Sequence, residues 1–268
     1  MNPLVAVLLG VIEGLTEFLP VSSTGHLILA GRLLGVGDAG SFEIVIQLGA
    51  IVAVLVHYRA LLAARARGLV TGQPEARALL VALIIAFVPT AVVGLLARKA
   101  IKAHLFGPLP VVAALVAGGI LMIAVERARA AKRATGRTGL EHVTPARALV
   151  IGVAQCFSMW PGSSRSMCTI VAGQLAGLST ATAAEFSFLL SLPTLGAATL
   201  YESYKGRHEL AALGGTNVAL GLLASFAVAW AVIAAFLRYL QRRGLEPFGY
   251  YRIALGVVFG VMIARGVL

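Results

Sequence analysis

Six stretches of this 268-residue chain are apolar runs of bilayer-crossing length, and that pattern restricts it to folds whose solvent is lipid. They run from Phe42 to Tyr58, Arg77 to Ala97, Pro110 to Val125, Ala183 to Tyr201, Asn217 to Leu237 and Tyr250 to Val267. A water-soluble core cannot absorb them. Hydrophobic residues make up 59% of the chain and charged residues 12%, where soluble domains average roughly half and a quarter. The expected fold class is an all-α integral membrane protein, a single membrane domain over residues 1–268 with six transmembrane helices.

Two further apolar regions are broken near their middles. Residues 3–36 are interrupted at Pro20, followed by Ser22, Ser23, Thr24 and Gly25, and residues 147–178 at Pro161, Gly162, Ser163 and Ser164. Proline ends a helix and the hydroxyls behind it can cap the next, so each region reads as two short helices around a polar elbow. About 12 residues at about 1.5 Å each reach ~18 Å, past the middle of a ~30 Å hydrocarbon core. Each pair is therefore expected to be a re-entrant helix-loop-helix hairpin. Non-helical backbone at that depth must be enclosed by protein or line a watery cavity.

The two regions share a pattern. GVIEGLTEFLPVSSTGHLILAGRLLG from Gly10 and GVAQCFSMWPGSSRSMCTIVAGQLAG from Gly152 both open with GV and carry an acid or amide at Glu13 and Gln155. Both follow a proline with paired serines and close on G, polar, L, G, and Glu43 and Glu185 then hold matching places downstream. This predicts an internal repeat, with halves at about 1–126 and 147–268. With both hairpins returning to their starting side, connectors 59–77, 126–147 and 238–249 share one face and hold thirteen Arg and Lys, against five in 98–109 and 202–216. The positive-inside rule places the first set in the cytoplasm and both termini outside. Three spans separate the hairpins, so they enter from opposite faces in an inverted-topology repeat. The net charge of +11 sits in these connectors and reads as topology signal and lipid contact, with no nucleic acid implied. The amino terminus lacks a basic start and cleavage site and is read as mature structure. Cys156 and Cys168 lie in apolar stretches and are expected to be buried free thiols.

Ionisable groups inside lipid default to function. Glu13 and Glu17, spaced i, i+4, share a helix face and suit a divalent cation such as Mg²⁺ or Ca²⁺, or a proton. A structural ion pair with a distant Arg is the competing reading. His26, just past Ser22 and Ser23, could take a proton from a nucleophile or attack phosphorus itself, although a lone His is more often a packing residue. In the second elbow Ser163, Ser164, Arg165, Ser166 and Thr169 gather hydroxyls and a guanidinium at a helix start, which favours an anion by dipole and by bidentate grip. That cluster could also be a cap, with Arg165 resting on Glu13 or Glu17. Glu43 and Glu185 read as helix-start carboxylates, with Gln47 one turn beyond Glu43. Tyr201, Tyr204 and Trp230 read as interface or packing residues, and His57, His104, His142 and His208 take no role.

EGLTEFLPVSSTGH from Glu13 to His26, PGSSRSMCT from Pro161 to Thr169 and AEFSFLLSLPT from Ala184 to Thr194 together resemble the bacterial undecaprenyl-diphosphate phosphatase family, also known for bacitracin resistance. Met167 and Cys168 stand where that family usually has a small pair. The resemblance implies hydrolysis of undecaprenyl diphosphate to undecaprenyl phosphate, for reuse in peptidoglycan synthesis, by a metal-assisted site in the bacterial inner membrane. It implies Glu13, Glu17, Ser23, His26 and Arg165 as catalytic. Ser22, Thr24, Ser163, Ser164, Arg165, Ser166 and Thr169 would bind substrate, and Glu13 and Glu17 a Mg²⁺ or Ca²⁺ ion. Expected partners are a polyprenyl diphosphate, membrane lipids and a second copy of the chain as a homodimer. A secondary transporter or flippase for a polyprenyl phosphate is the alternative, because inverted repeats and midplane acids also belong to transporters. A non-catalytic scaffold fits poorly with polar groups buried at such cost.

Overall fold

The computed structural model describes residues 1–36, 40–105, 107–131, 136–208 and 213–266, apart from the side chains of Arg98 and Lys102. Lys132 and Arg133 of the charge count, and the expected end of the last span at Val267, fall outside the described residues. Eleven α-helices run through them: α1 Pro3–Thr16, α2 Ser23–Leu33, α3 Ser41–His57, α4 Arg59–Val70, α5 Pro74–Leu105, α6 Pro108–Ala131, α7 Pro145–Gln155, α8 Arg165–Leu175, α9 Thr180–Lys205, α10 Gly215–Leu240 and α11 Glu246–Ala264. Short 3₁₀ turns occupy Leu140–His142 and Cys156–Met159.

Five helices are long and apolar enough to cross a bilayer: α5 over Pro74–Ala97, α6, α9, α10 and α11. The expected span from Phe42 to Tyr58 is α3, whose 17 residues reach only about 26 Å at about 1.5 Å each. It bends by 69° into α4, and the pair makes a sixth candidate span, broken at Tyr58. Helix α4 lies in a stretch the charge pattern reads as a connector. Its sequence, RALLAARARGLV, is rich in the strongest helix formers, and that propensity outweighs its charge. Large apolar side chains such as Leu80, Val81, Ile84 and Val88 on α5 and Val257, Val258 and Val261 on α11 point outward and exposed. In water such faces would drive association, whereas in lipid they are the solvated surface.

Both proline-broken regions are pairs of short helices. Asn2 starts α1 by accepting the Leu4 N–H at 2.9 Å, with Pro3 in the first turn. Thr144 caps α7 in the same way, followed by Pro145. The second arms start alike: Ser22 caps α2 at φ 74° and Ser164 caps α8 at φ 69°. These are the two positive-φ non-glycine residues among those described. Their hydroxyls accept from Gly25 N at 3.2 Å and Met167 N at 3.3 Å, which helps offset a backbone strain of order 1–3 kcal/mol each.

Close approach depends on small residues, as expected where lipid supplies no hydrophobic drive between helices. Helix α1 packs on α10, and a Cβ at Gly14 would lie 2.6 Å from Ser225 O. Helix α7 packs on α5, and a Cβ at Gly152 would lie 2.7 Å from Ala86 Cα. Helix α3 packs on α9 and α10, and α6 packs on α11. Phe18, from the first elbow, is fully buried against Phe188 of α9, with ring centroids 5.1 Å apart, so the elbow is anchored in the protein core.

Candidate active site

The chain leaves α1 at Thr16, whose hydroxyl folds back onto Ile12 O at 2.7 Å, and turns through Glu17 to Val21 before Ser22 restarts the helix. This turn brings Ser23 back over Glu17. Ser23 Oγ donates to Glu17 Oε2 at 2.7 Å, and Arg165 Nη2 donates to the other oxygen, Oε1, at 3.1 Å. One carboxylate therefore joins a hydroxyl of its own elbow to the guanidinium of the other. All three groups are buried. The competing reading of Arg165 as an ion-pair partner is realised with Glu17.

Helix α9 and the first elbow hold the Arg165 side chain in place. Its Nη1 donates to Ser187 O at 3.0 Å and Ser187 Oγ at 3.1 Å, and its guanidinium lies 5.5 Å from the centroid of Phe18. Thr169 donates to Arg165 O at 2.9 Å and shares a 2.6 Å hydrogen bond with Ser187 Oγ. Ser166 donates to Leu19 O at 2.9 Å, a second link to the first elbow, and lies 3.0 Å from Ser164 Oγ. Ser163 is buried, with its backbone N–H donating to Trp160 O at 3.0 Å. Thr24 is half-buried on the first turn of α2.

Glu13 lies one turn before Glu17, fully buried, and among the described residues neither of its oxygens has a hydrogen-bond partner. Glu17, Glu43 and Arg165 are its charged neighbours. An unsatisfied carboxylate in such a place is costly unless a proton or a cation answers it. No group of three or more His, Cys, Asp or Glu suited to a metal occurs among the described residues. A hard cation held by one or two carboxylates, with substrate phosphate and water completing its shell, still fits this donor set.

His26 stands apart from this group. Its Nδ1 lies 2.7 Å from Ser22 O, which can only accept, so Nδ1 carries the proton and Nε2 is the acceptor. Nε2 receives the Tyr251 hydroxyl at 2.7 Å, and the two rings are parallel with centroids 5.6 Å apart. The bare nitrogen therefore faces Tyr251, while Ser23 faces Glu17.

Ser187 and Phe18 touch Arg165, Tyr251 touches His26, and Arg252 donates to Pro20 O and Gly162 O of the two elbows, and none of the four was singled out from sequence. Ser187 lies inside the quoted AEFSFLLSLPT segment, and a hydroxyl in mid-span could have marked it. Tyr251 lies 225 positions from its partner His26, and no local pattern links them. Of the other polar expectations, Gln47 accepts from Thr199 Oγ1 at 3.2 Å. Both cysteines are free thiols, with Cys168 buried as expected and Cys156 only partly so.

Residues 6–258 match the family model of the bacitracin resistance protein BacA. The chain belongs to that family. Within the BacA family it is 62% identical over 257 residues to the undecaprenyl-diphosphatase of Sorangium cellulosum, covering 94% of this chain and 84% of that protein. It is 45% identical over 265 residues to the undecaprenyl-diphosphatase of Thermoanaerobacter pseudethanolicus, covering 98% and 97%. Its identity to the enzyme of the same name from Deinococcus radiodurans is 44% over 275 residues, covering 100% and 98%. With five or six apolar spans, this BacA-family chain is a multi-pass membrane protein.

Proposed function

We propose that this chain hydrolyses undecaprenyl diphosphate to undecaprenyl phosphate and inorganic phosphate between its two elbows, with Ser23 as nucleophile and Glu17 as its base. The observation that carries the reading is the single carboxylate of Glu17, which holds Ser23 Oγ on one oxygen and Arg165 on the other. The relatives are named for hydrolysis, which gives no support to a flippase as the sole activity. Products returned to the lipid carrier pool explain the link to peptidoglycan synthesis and bacitracin resistance.

In the first half-reaction Ser23 Oγ attacks the terminal phosphorus as Glu17 Oε2 takes its proton, and the lipid phosphate departs with the electron pair of the bridging P–O bond. Water then attacks the phosphoseryl phosphorus. The P–Oγ bond breaks, Oγ recovers its proton from Glu17, and inorganic phosphate leaves with the protons of the water. Glu17 is well placed because its hydrogen bond to Ser23 is already made. Arriving phosphate competes with Glu17 for Arg165, so the guanidinium moves its charge onto the transferring oxygens while Ser187 and Thr169 keep it aimed. Ser164 and the free N–H groups at the start of α8 add donors. Glu13, with Glu17, would hold a divalent cation, which when bound neutralises phosphate charge. His26 does not attack in this scheme, because its Nε2 is turned to Tyr251.

The membrane arrangement belongs to the same proposal. The elbows dip in from opposite leaflets as re-entrant hairpins of an inverted repeat, in the bacterial inner membrane with both termini outside. The packing is reciprocal, as such a repeat requires: α1 of the first half lies on α10 of the second, and α7 of the second lies on α5 of the first. Gly10 and Gly152, at matching places in the two halves, both sit against a backbone carbonyl of the partner helix.

The test is phosphate release from undecaprenyl diphosphate by detergent-purified protein. Wild type is expected to turn over, Ser23→Ala to lose release by at least about a thousandfold, as covalent catalysis requires, and His26→Ala to keep far more. Release by Ser23→Ala near the wild-type rate would refute the serine route.

A further inference from the structure

Breaking two helices inside a membrane frees backbone carbonyls, and each must find a donor in the protein or in a water-lined cavity. Pro20 O and Gly162 O are two such groups, one in each elbow. Both are met by one side chain on a third element, Arg252 of α11. Its Nη2 donates to Gly162 O and to Ala114 O of α6, each at 2.9 Å, and its Nη1 lies 3.4 Å from Pro20 O. Arg252 is fully buried, and no carboxylate pairs with it among the described residues. A buried guanidinium without a counter-charge is expensive, so its retention in place of an apolar residue calls for a reason beyond packing. The surroundings make room for it: a Cβ at Gly118 would lie 2.9 Å from Arg252 Cζ.

We infer that Arg252 is a positioning residue, a clamp that fixes the two elbows against each other so that Ser23 and Arg165 stand on opposite sides of one phosphate. The inference rests on the phosphatase reading for its catalytic consequence, and on geometry alone for the clamp. Arg suits this task where Lys does not. A planar fork with five N–H groups can reach carbonyls in three directions, while an ammonium is a point on a flexible stem.

The experiment compares wild type, Arg252→Gln, Arg252→Lys and Phe259→Ala in detergent. Phe259 is buried on the same helix against Val111 and Leu115, so its truncation loosens α11 while leaving every Arg252 hydrogen bond to the elbows in place. Amide hydrogen exchange over residues 19–24 and 160–166 is read beside kcat and KM. Arg252→Gln is expected to speed exchange in both elbows together and to lower kcat by about a hundredfold, the scale of an ångström-level misplacement, with KM little changed. Arg252→Lys should recover under about a tenth of wild-type kcat. Phe259→Ala should lower the melting temperature while leaving elbow exchange and kcat near wild type. Unchanged exchange in either elbow, or equal kcat losses in Arg252→Gln and Phe259→Ala, overturns the clamp. If wild type releases no phosphate while both elbows open in Arg252→Gln, the clamp stands and the phosphatase reading falls.

Discussion

Arg165 has two separable duties, and substitution can pull them apart. In the resting site its Nη2 neutralises Glu17, with both side chains less than a tenth exposed. Arg165→Ala leaves that carboxylate buried and unpaired, a change that costs about 3 to 5 kcal/mol. At ~2 to 4 °C per kcal/mol for a protein of this size, the melting temperature should fall by ~6 to 20 °C. Turnover should fall by about a hundred to a thousandfold, the usual effect of deleting one transition-state donor. Adding Glu17→Gln removes the orphaned charge, so the double variant should regain most of the melting temperature. It should regain no turnover, because neither the base nor the phosphate grip returns. Arg165→Lys keeps a charge but loses the fork that reaches Ser187 and Glu17 at once, so it should melt near wild type and still lose most of its kcat. The assays are thermal unfolding in detergent and phosphate release from undecaprenyl diphosphate at saturating substrate. Recovery of turnover in parallel with melting temperature in the double variant would show that Arg165 only props the fold, and the proposed chemistry would fail.

Glu13→Gln should abolish the dependence of residual turnover on added Mg²⁺ or Ca²⁺, measured by titration after chelation, because it removes a buried carboxylate that has no hydrogen-bond partner among the described residues; an unchanged cation response would exclude Glu13 as a ligand. Tyr251→Phe removes the hydroxyl that faces His26 Nε2 and should change kcat by less than about tenfold, in line with one neutral hydrogen bond of roughly 1 kcal/mol; a loss as deep as that of Ser23→Ala would return His26 to the centre of the mechanism. Gly14→Val should prevent assembly of α1 on α10, since its Cβ alone would lie 2.6 Å from Ser225 O; a monodisperse, wild-type melting profile would show that the contact is not as tight as the geometry requires.

The fold was legible wherever one physical signal dominates. Apolar length marked the spans, and proline followed by serines marked both breaks, because lipid leaves a chain few ways to satisfy its backbone. The exception was α4, where charge argued for a connector and helix propensity prevailed. The site was legible in part for a similar reason. Glu17, Ser23 and Arg165 are costly in lipid, and their cost is visible in one dimension. What the sequence could not reveal is who faces whom. Ser23 has Glu17 six residues behind it and His26 three ahead, and either fits as a base on spacing alone. The hydrogen bonds separate them: Ser23 lies on Glu17, while the Ser22 carbonyl takes His26 Nδ1 and leaves the other ring nitrogen at Tyr251.

Arg252 escaped for a deeper reason. It lies near the start of an apolar helix, two residues past Tyr250, where an arginine ordinarily reads as an interfacial anchor. Its partners are carbonyls, which every residue has and no sequence distinguishes. Donors that answer freed backbone can therefore be found only after the break in the backbone has been seen. The same logic predicts where such residues belong in proteins of this kind: beside each elbow, on a helix that is neither of its arms. In this chain one side chain serves both breaks, so the two elbows share a support that neither elbow contains.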